Sequence, residues 1–161
     1  MTATMTRHAA VRGFTLIEML VVMVVLAILA SVALPLAEME VKRSREAELQ
    51  RALWELRDAI DAYHAAYASG RLVQRPGSSG YPPDLRTLVD GVPDAIEFGK
   101  THYFLRRLPR DPMVPDVAPE RVWGLRSYAS APNDPRPGDD VYDVFSQSTA
   151  VALDGRPYRS W

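Results

Sequence analysis

The chain contains no cysteine, which removes disulfide staples, thiol catalysis and cysteine-based zinc sites together. It also lacks an excess of either charge. Lys and Arg number 19 against 20 Asp and Glu, a formal net charge of -1, without the basic footprint of a protein built to bind nucleic acid. Histidine is scarce, and His8, His64 and His102 show no metal-ligand spacing. There is no Gly-rich phosphate loop, and neither Ser146 nor Ser148 lies in the glycine elbow of a hydrolase nucleophile. These absences argue against an enzyme. From Glu38 to Ser69 glycine and proline are missing too, so nothing there interrupts a helix.

What is present is unevenly distributed. A length of 161 residues with 47% hydrophobic and 24% charged residues fits one modest ordered domain. Met19 to Ala37 contains no charged residue, and with Phe14 to Ile17 added it reaches the roughly 20 residues that span a bilayer as a helix. A helix of a soluble domain is seldom apolar on every face for so long. Three kinds of segment fit. A secretory signal peptide has a basic start, here Arg7, His8 and Arg12, and a small-residue cleavage site such as Ser31-Val32-Ala33. A plain single-pass anchor is the second. The third follows from Glu18, whose carboxylate would cost roughly 2.5 kcal/mol or more deep in lipid unless it had a task or reached the surface or the helix start. Lys42, Arg43 and Arg45 follow the run, so basic residues flank both ends and charge alone does not set the topology.

Gly13-Phe14-Thr15-Leu16-Ile17-Glu18, behind a short basic leader free of acids, resembles the processing site of type IV pilins and pseudopilins. The resemblance implies that a membrane peptidase cuts after Gly13 and methylates the new amino terminus at Phe14. It makes Glu18 the acidic fifth residue used in assembly, and Pro35 the helix-loosening proline common in the family. The physics is compatible: a new α-amine has a pKa near about 8, and a buried carboxylate is tolerable when paired with such an ammonium. The amine of a neighbouring subunit at Glu18 would favour head-to-tail stacking.

Beyond the apolar run, Leu49, Leu53, Leu56, Ile60, Tyr63 and Tyr67 recur in steps of four and three, the stripe of a helix facing a small core. Lys42 and Glu46 continue that stripe backwards, so this turn is expected to protrude or meet neighbours. Gly70 is the expected stop. Tyr81 to Gly91 reads as a short helix, with prolines at its start and Leu85, Leu88 and Val89 as its apolar face. His102 to Leu108, Val122 to Ser130, Val141 to Ser146 and Tyr158 to Trp161 are strand candidates. The fold expected is α+β and pilin-like, a long N-terminal helix on a small antiparallel sheet. The divisions expected are a leader over 1–13, a transmembrane or filament-core helix over 14–37, an amphipathic half over 38–69 and a globular part over 70–161.

Tyr81-Pro82 with Leu85 and Leu88, then Leu108-Pro109-Arg110-Asp111-Pro112, then Tyr128, resemble the major pseudopilin of type II secretion. Ser146, Asp154-Gly155 and Trp161 are similar to the closing segment of that subgroup, while Trp123-Gly124 arrives only after an inserted MVPDVAPERV. The subgroup implies a filament subunit anchored once in the inner membrane with its C-terminal part in the periplasm. Its implied partners are further copies of itself, minor pseudopilins, the prepilin peptidase, the inner-membrane assembly platform and lipid. A type IV pilus or competence minor pilin, and a signal-anchored or secreted periplasmic binding domain, are the alternatives. No cofactor is expected except the calcium ion of the subgroup. Asp154 matches one calcium position, but the second family acid is missing, leaving Asp139, Asp140 and Asp143 as substitutes. Arg106, Arg107 and Arg110, near Tyr103 and Phe104, form a local basic cluster that the overall charge balance assigns to solvated surface rather than to nucleic acid.

Overall fold

The computed structural model describes residues 14–74 and 76–161. The leader, including Gly13, lies outside the described residues, as does Arg75. Helix α1 spans Leu16–Ala68, 53 residues with Pro35 inside it, close to the limits set by the uninterrupted run of helix formers. It ends in a paired cap at Gly70, which takes φ 73. There the Gly70 N–H donates to Tyr67 O at 3.0 Å and the Arg71 N–H to Ala66 O at 3.0 Å, the two bonds of a Schellman motif.

The chain divides into two compact units at Val41 and Lys42. In the first, every side chain from Phe14 to Ser31 is exposed. Among the described residues, α1 is long and apolar enough to cross a membrane.

The second unit buries the expected stripe. Leu49, Leu53, Leu56 and Ile60 are buried, with Ala52 and Ala59 between them and Tyr63 at the edge of the core. They pack with Leu72, Leu88, Val122, Val144 and Tyr158, among others. Each large apolar side chain so removed from water contributes roughly 1.5–3 kcal/mol. Trp54 is on the open side of the helix, 76% exposed.

Helix α2 is shorter than expected, Arg86–Asp90, and closes at Gly91 with φ 81. The Asp84 carboxylate prepares its start by accepting the Thr87 N–H at 2.8 Å and the Thr87 hydroxyl at 2.9 Å. Strands β1 (Val92–Pro93) and β2 (Thr101–His102) form one antiparallel pair. The expected strand over 102–108 stops at His102, because the Phe104 and Leu105 N–H groups both donate to Leu88 O, at 3.0 and 2.9 Å, instead of to a ladder. Val122 ends a short helix α3 (Pro119–Val122) rather than opening a strand. Strands β3 (Trp123–Arg126) and β4 (Asp143–Ser146) make the second antiparallel pair, with Gly124 opposite Phe145. A Cβ at Gly124 would lie 2.2 Å from the Phe145 ring, so the ring covers the glycine. Tyr158–Ser160 is a 3₁₀ turn and not a final strand, closed by the Ser160 N–H to Pro157 O at 3.0 Å and the Trp161 N–H to Tyr158 O at 3.1 Å. A long N-terminal helix with small antiparallel sheets is an α+β, pilin-like fold, its sheet split into two pairs.

Candidate processing and assembly site

The start of α1 is built by Thr15 and Glu18, two residues of the hexapeptide from Gly13 to Glu18. Thr15 lies just before the helix, and its Oγ1 accepts the Glu18 N–H at 3.3 Å. The Met19 N–H donates to Thr15 O at 3.2 Å. Thr15 is thus the N-cap and Glu18 the third helical residue, the spacing of a capping box. That spacing, Thr15-x-x-Glu18, is legible in the sequence. Glu18 is in the first turn, where the helix dipole favours a carboxylate, and it is exposed. Phe14 precedes the cap and is 74% exposed. Pro35 is within α1 and has no N–H to offer the Ser31 carbonyl.

In the second unit the segments around Asp111, Trp123 and Ser146 meet. The Ser146 hydroxyl donates to Asp111 Oδ2 at 2.5 Å, and both residues are buried. Asp111 Oδ1 accepts the Met113 N–H at 2.8 Å, fixing the turn after Pro112. The Trp123 indole N–H donates to Pro109 O at 3.1 Å, and Trp123 pairs with Ser146 across β3 and β4. Leu108-Pro109-Arg110-Asp111-Pro112, Trp123-Gly124 and Ser146 therefore belong to one packed unit.

Lys42 and Glu46 do not protrude as expected. The Lys42 ammonium donates to Val151 O at 2.8 Å. Glu46 Oε1 accepts the Leu153 N–H at 2.8 Å and the Tyr158 hydroxyl at 2.9 Å. These bonds hold the segment around Asp154-Gly155 against α1. Burial and then the Glu46 carboxylate push the Tyr158 hydroxyl up to about 12. From the next turns of α1, Arg57 holds β4 and the last residue, donating to Asp143 Oδ1 at 2.8 Å, Val144 O at 3.1 Å and Trp161 O at 2.8 Å.

Asp154 is occupied locally. Its Oδ1 accepts the Arg156 N–H at 2.9 Å and its Oδ2 the Arg156 guanidinium at 2.8 Å, which hold its carboxyl below the usual range. Asp140 accepts the Tyr128 N–H, while Asp143 accepts from Arg57 and the Val144 N–H. Among the described residues no group of three or more His, Asp or Glu side chains is placed to hold a metal ion.

The remaining candidates are dispersed. His64 stacks on Tyr81 at 4.2 Å with its Nδ1 3.2 Å from Gly80 O, and His102 Nε2 meets Asp94 Oδ2 at 2.5 Å. Arg106, Arg107 and Arg110 are exposed and share a cleft with Asp90 and Glu120. Phe104 turns away from them to pack on Tyr63, with ring centroids 5.3 Å apart.

Residues 9–34 match the prokaryotic N-terminal methylation motif, a span that contains Gly13, Phe14, Thr15 and Glu18. The match supports a type IV pilin-like protein processed as a prepilin, with a methylated N-terminus and a transmembrane helix. With the exposed apolar half of α1, it is compatible with a membrane-anchored protein. Pilin-like proteins are generally structural rather than enzymatic. No curated protein and no solved structure matches the chain.

Proposed function

We propose that this chain is a structural subunit of a type II secretion pseudopilus. It enters the inner membrane as a prepilin, is cut between Gly13 and Phe14, is methylated on the Phe14 amine and polymerises into a periplasmic filament that drives protein export. The observation that carries the reading is the methylation motif over residues 9–34, set on the start of a helix whose apolar side chains are exposed from Leu16 to Ala30. Such a surface has to be covered by lipid before assembly and by neighbouring subunits after it. The choice of a secretion pseudopilus over a pilus rests on the subgroup motifs, and the meeting of two of them at Asp111 and Ser146 supports it. The globular part faces the periplasm in this reading. The partners are further copies of the chain, minor pseudopilins, the prepilin peptidase, the assembly platform and lipid, and the subunit works without a cofactor.

Cleavage leaves an ammonium on Phe14, and a neighbouring subunit's ammonium at Glu18 neutralises the carboxylate within the apolar filament core. The test is the intact mass and N-terminal residue of the membrane-extracted protein. A chain beginning at methylated Phe14 is expected. A chain beginning at Leu34 would mean an ordinary signal peptide and would overturn the reading. An uncut Met1 in a host with an active prepilin peptidase would do the same in favour of a plain anchor.

A further inference from the structure

The loop between β1 and β2 displays large apolar side chains to solvent: Ile96 is 67% exposed and Phe98 wholly so. The loop is nevertheless well fixed. The Asp94 side chain, 1% exposed, accepts the Ile96 N–H at 2.7 Å and the Glu97 N–H at 2.9 Å and touches His102. Its own N–H donates to Lys100 O at 2.8 Å, and the Ala95 N–H ties the loop to Arg71 O at 2.7 Å. Two apolar side chains held outward on a pre-shaped loop form a knob that loses little conformational freedom on docking.

The same domain carries a cleft suited to such a knob. Leu125, Phe145, Pro135 and Pro137 line a space of about 620 Å³ over the β3–β4 pair. Arg121 and Arg159 also line it, and neither guanidinium has an ion pair or hydrogen bond among the described residues. Glu97 lies between Ile96 and Phe98, and among the described residues its carboxylate is paired only with Lys100, at 2.9 Å, in a pair whose side chains are both 53% exposed. An exposed pair of this kind contributes little and is readily exchanged. The knob is therefore apolar with an acid beside it, and the cleft is mainly apolar, with the Arg121 and Arg159 cations outnumbering the one acid, Glu120, at its lining.

We propose that Ile96 and Phe98 of one subunit seat in the Leu125–Phe145 cleft of a second copy of this chain, with Glu97 meeting Arg121 and Arg159. The inference rests on the filament reading above. Knob and cleft are different surfaces, so the contact is head-to-tail and each subunit can give one and receive one, which is how an open helical array repeats.

Because the chain has no cysteine of its own, the contact can be tested by oxidative cross-linking in the full-length protein. Phe98→Cys and Pro137→Cys are placed in separately tagged copies and co-expressed in cells that carry the assembly machinery. A mixed cross-link is expected, and a ladder of multimers when one chain carries both. Glu97→Arg is expected to lower the mixed product about ten-fold, the effect of roughly 1.4 kcal/mol, and Arg121→Glu with Arg159→Glu to restore it. Phe98→Ser, which removes no buried contact, should leave the fold intact by circular dichroism while reducing filament yield. Normal filaments without the mixed cross-link, or a dominant symmetric Phe98→Cys dimer, would overturn this inference alone. So would shielding of Phe98→Cys from a water-soluble maleimide by lipid in unassembled protein. Absence of filaments from the unsubstituted chain would instead overturn the filament reading, and this inference with it.

Discussion

Ser146 and Asp111, 35 residues apart in sequence, share a 2.5 Å hydrogen bond inside the core of the C-terminal unit. The bond joins the end of β4 to the loop that follows Pro109, and it gives a fully buried carboxylate a hydroxyl donor. Ser146→Ala removes that donor and leaves Asp111 buried with one partner fewer. A loss of about 1–3 kcal/mol is expected, read as a lower denaturant midpoint of the full chain in detergent. An unchanged midpoint would mean that the pair contributes nothing to stability.

Glu46 and Tyr158 form an alkali-sensitive contact. With the Tyr158 hydroxyl raised from 10.0 to about 12, the unfolded chain gives up this proton first as pH rises. The stabilisation is therefore complete below pH 10 and is lost as pH climbs through about 12. Tyr158→Phe should be less stable near neutral pH and show a flatter decline above pH 10. Denaturation midpoints across that range, with tyrosinate absorbance as a second readout, test it.

Asp94 contributes an acid dependence of the opposite sense. The Glu97 amide, then the Ile96 amide and the contact with His102, hold its carboxyl down to about 2 from an ordinary 3.8. The unfolded state binds the proton first on acidification, so the contribution is present above 3.8 and disappears as pH falls towards 2. Asp94→Asn should abolish that part of the acid dependence and loosen the Ile96–Phe98 tip. Amide hydrogen exchange at Ile96 and Glu97 reads the loosening, and unchanged protection there would contradict it.

Gly124 is required by the ring opposite it. Gly124→Ala drives a methyl group into the space of the Phe145 ring and is expected to cost about 1–3 kcal/mol as overpacking. If the collision is the cause, Phe145→Ala made in the Gly124→Ala background should cost less than Phe145→Ala alone. Additive losses in a double-mutant cycle would point away from the ring.

Thr15 and Glu18 can be separated. Thr15→Ala removes the hydroxyl that accepts the Glu18 N–H, at a cost to the helix start of about 1 kcal/mol. If Glu18 acts only as part of the cap, Thr15→Ala and Glu18→Ala should impair filaments alike. The expected result is that Glu18→Ala abolishes assembly while still permitting membrane insertion, and that Thr15→Ala assembles at reduced yield. Filaments that survive Glu18→Ala would remove the assembly role of that carboxylate.

Much of this protein is written locally. The apolar run, the absence of helix breakers from Glu38 to Ser69, the stripe from Leu49 to Tyr63 and the stop at Gly70 act over one or two helical turns, so their spacing alone foretells α1. The hexapeptide from Gly13 to Glu18, inside the methylation motif, is equally local, and the Thr15-x-x-Glu18 cap is spelled within it. Short elements were less legible. The pull of Leu88 O on Phe104 and Leu105 ended β2 early, and the 3₁₀ turn at Tyr158 replaced a strand, because two or three residues carry too little periodicity to outvote a tertiary contact.

The sequence by itself determined the long helix, its apolar half, the methylation motif and the presence of strands within Val122 to Ser130 and Val141 to Ser146. Only the tertiary structure decided that Lys42 and Glu46 hold the Asp154 loop, that Asp154 spends its oxygens on Arg156, that Asp111 meets Ser146, and that Ile96 and Phe98 are left facing solvent. The reason is physical: helix propensity and apolar periodicity act between near neighbours, whereas a buried ion, a cross-strand ring or a docked loop depends on which distant segment the chain's packing brings to the same place.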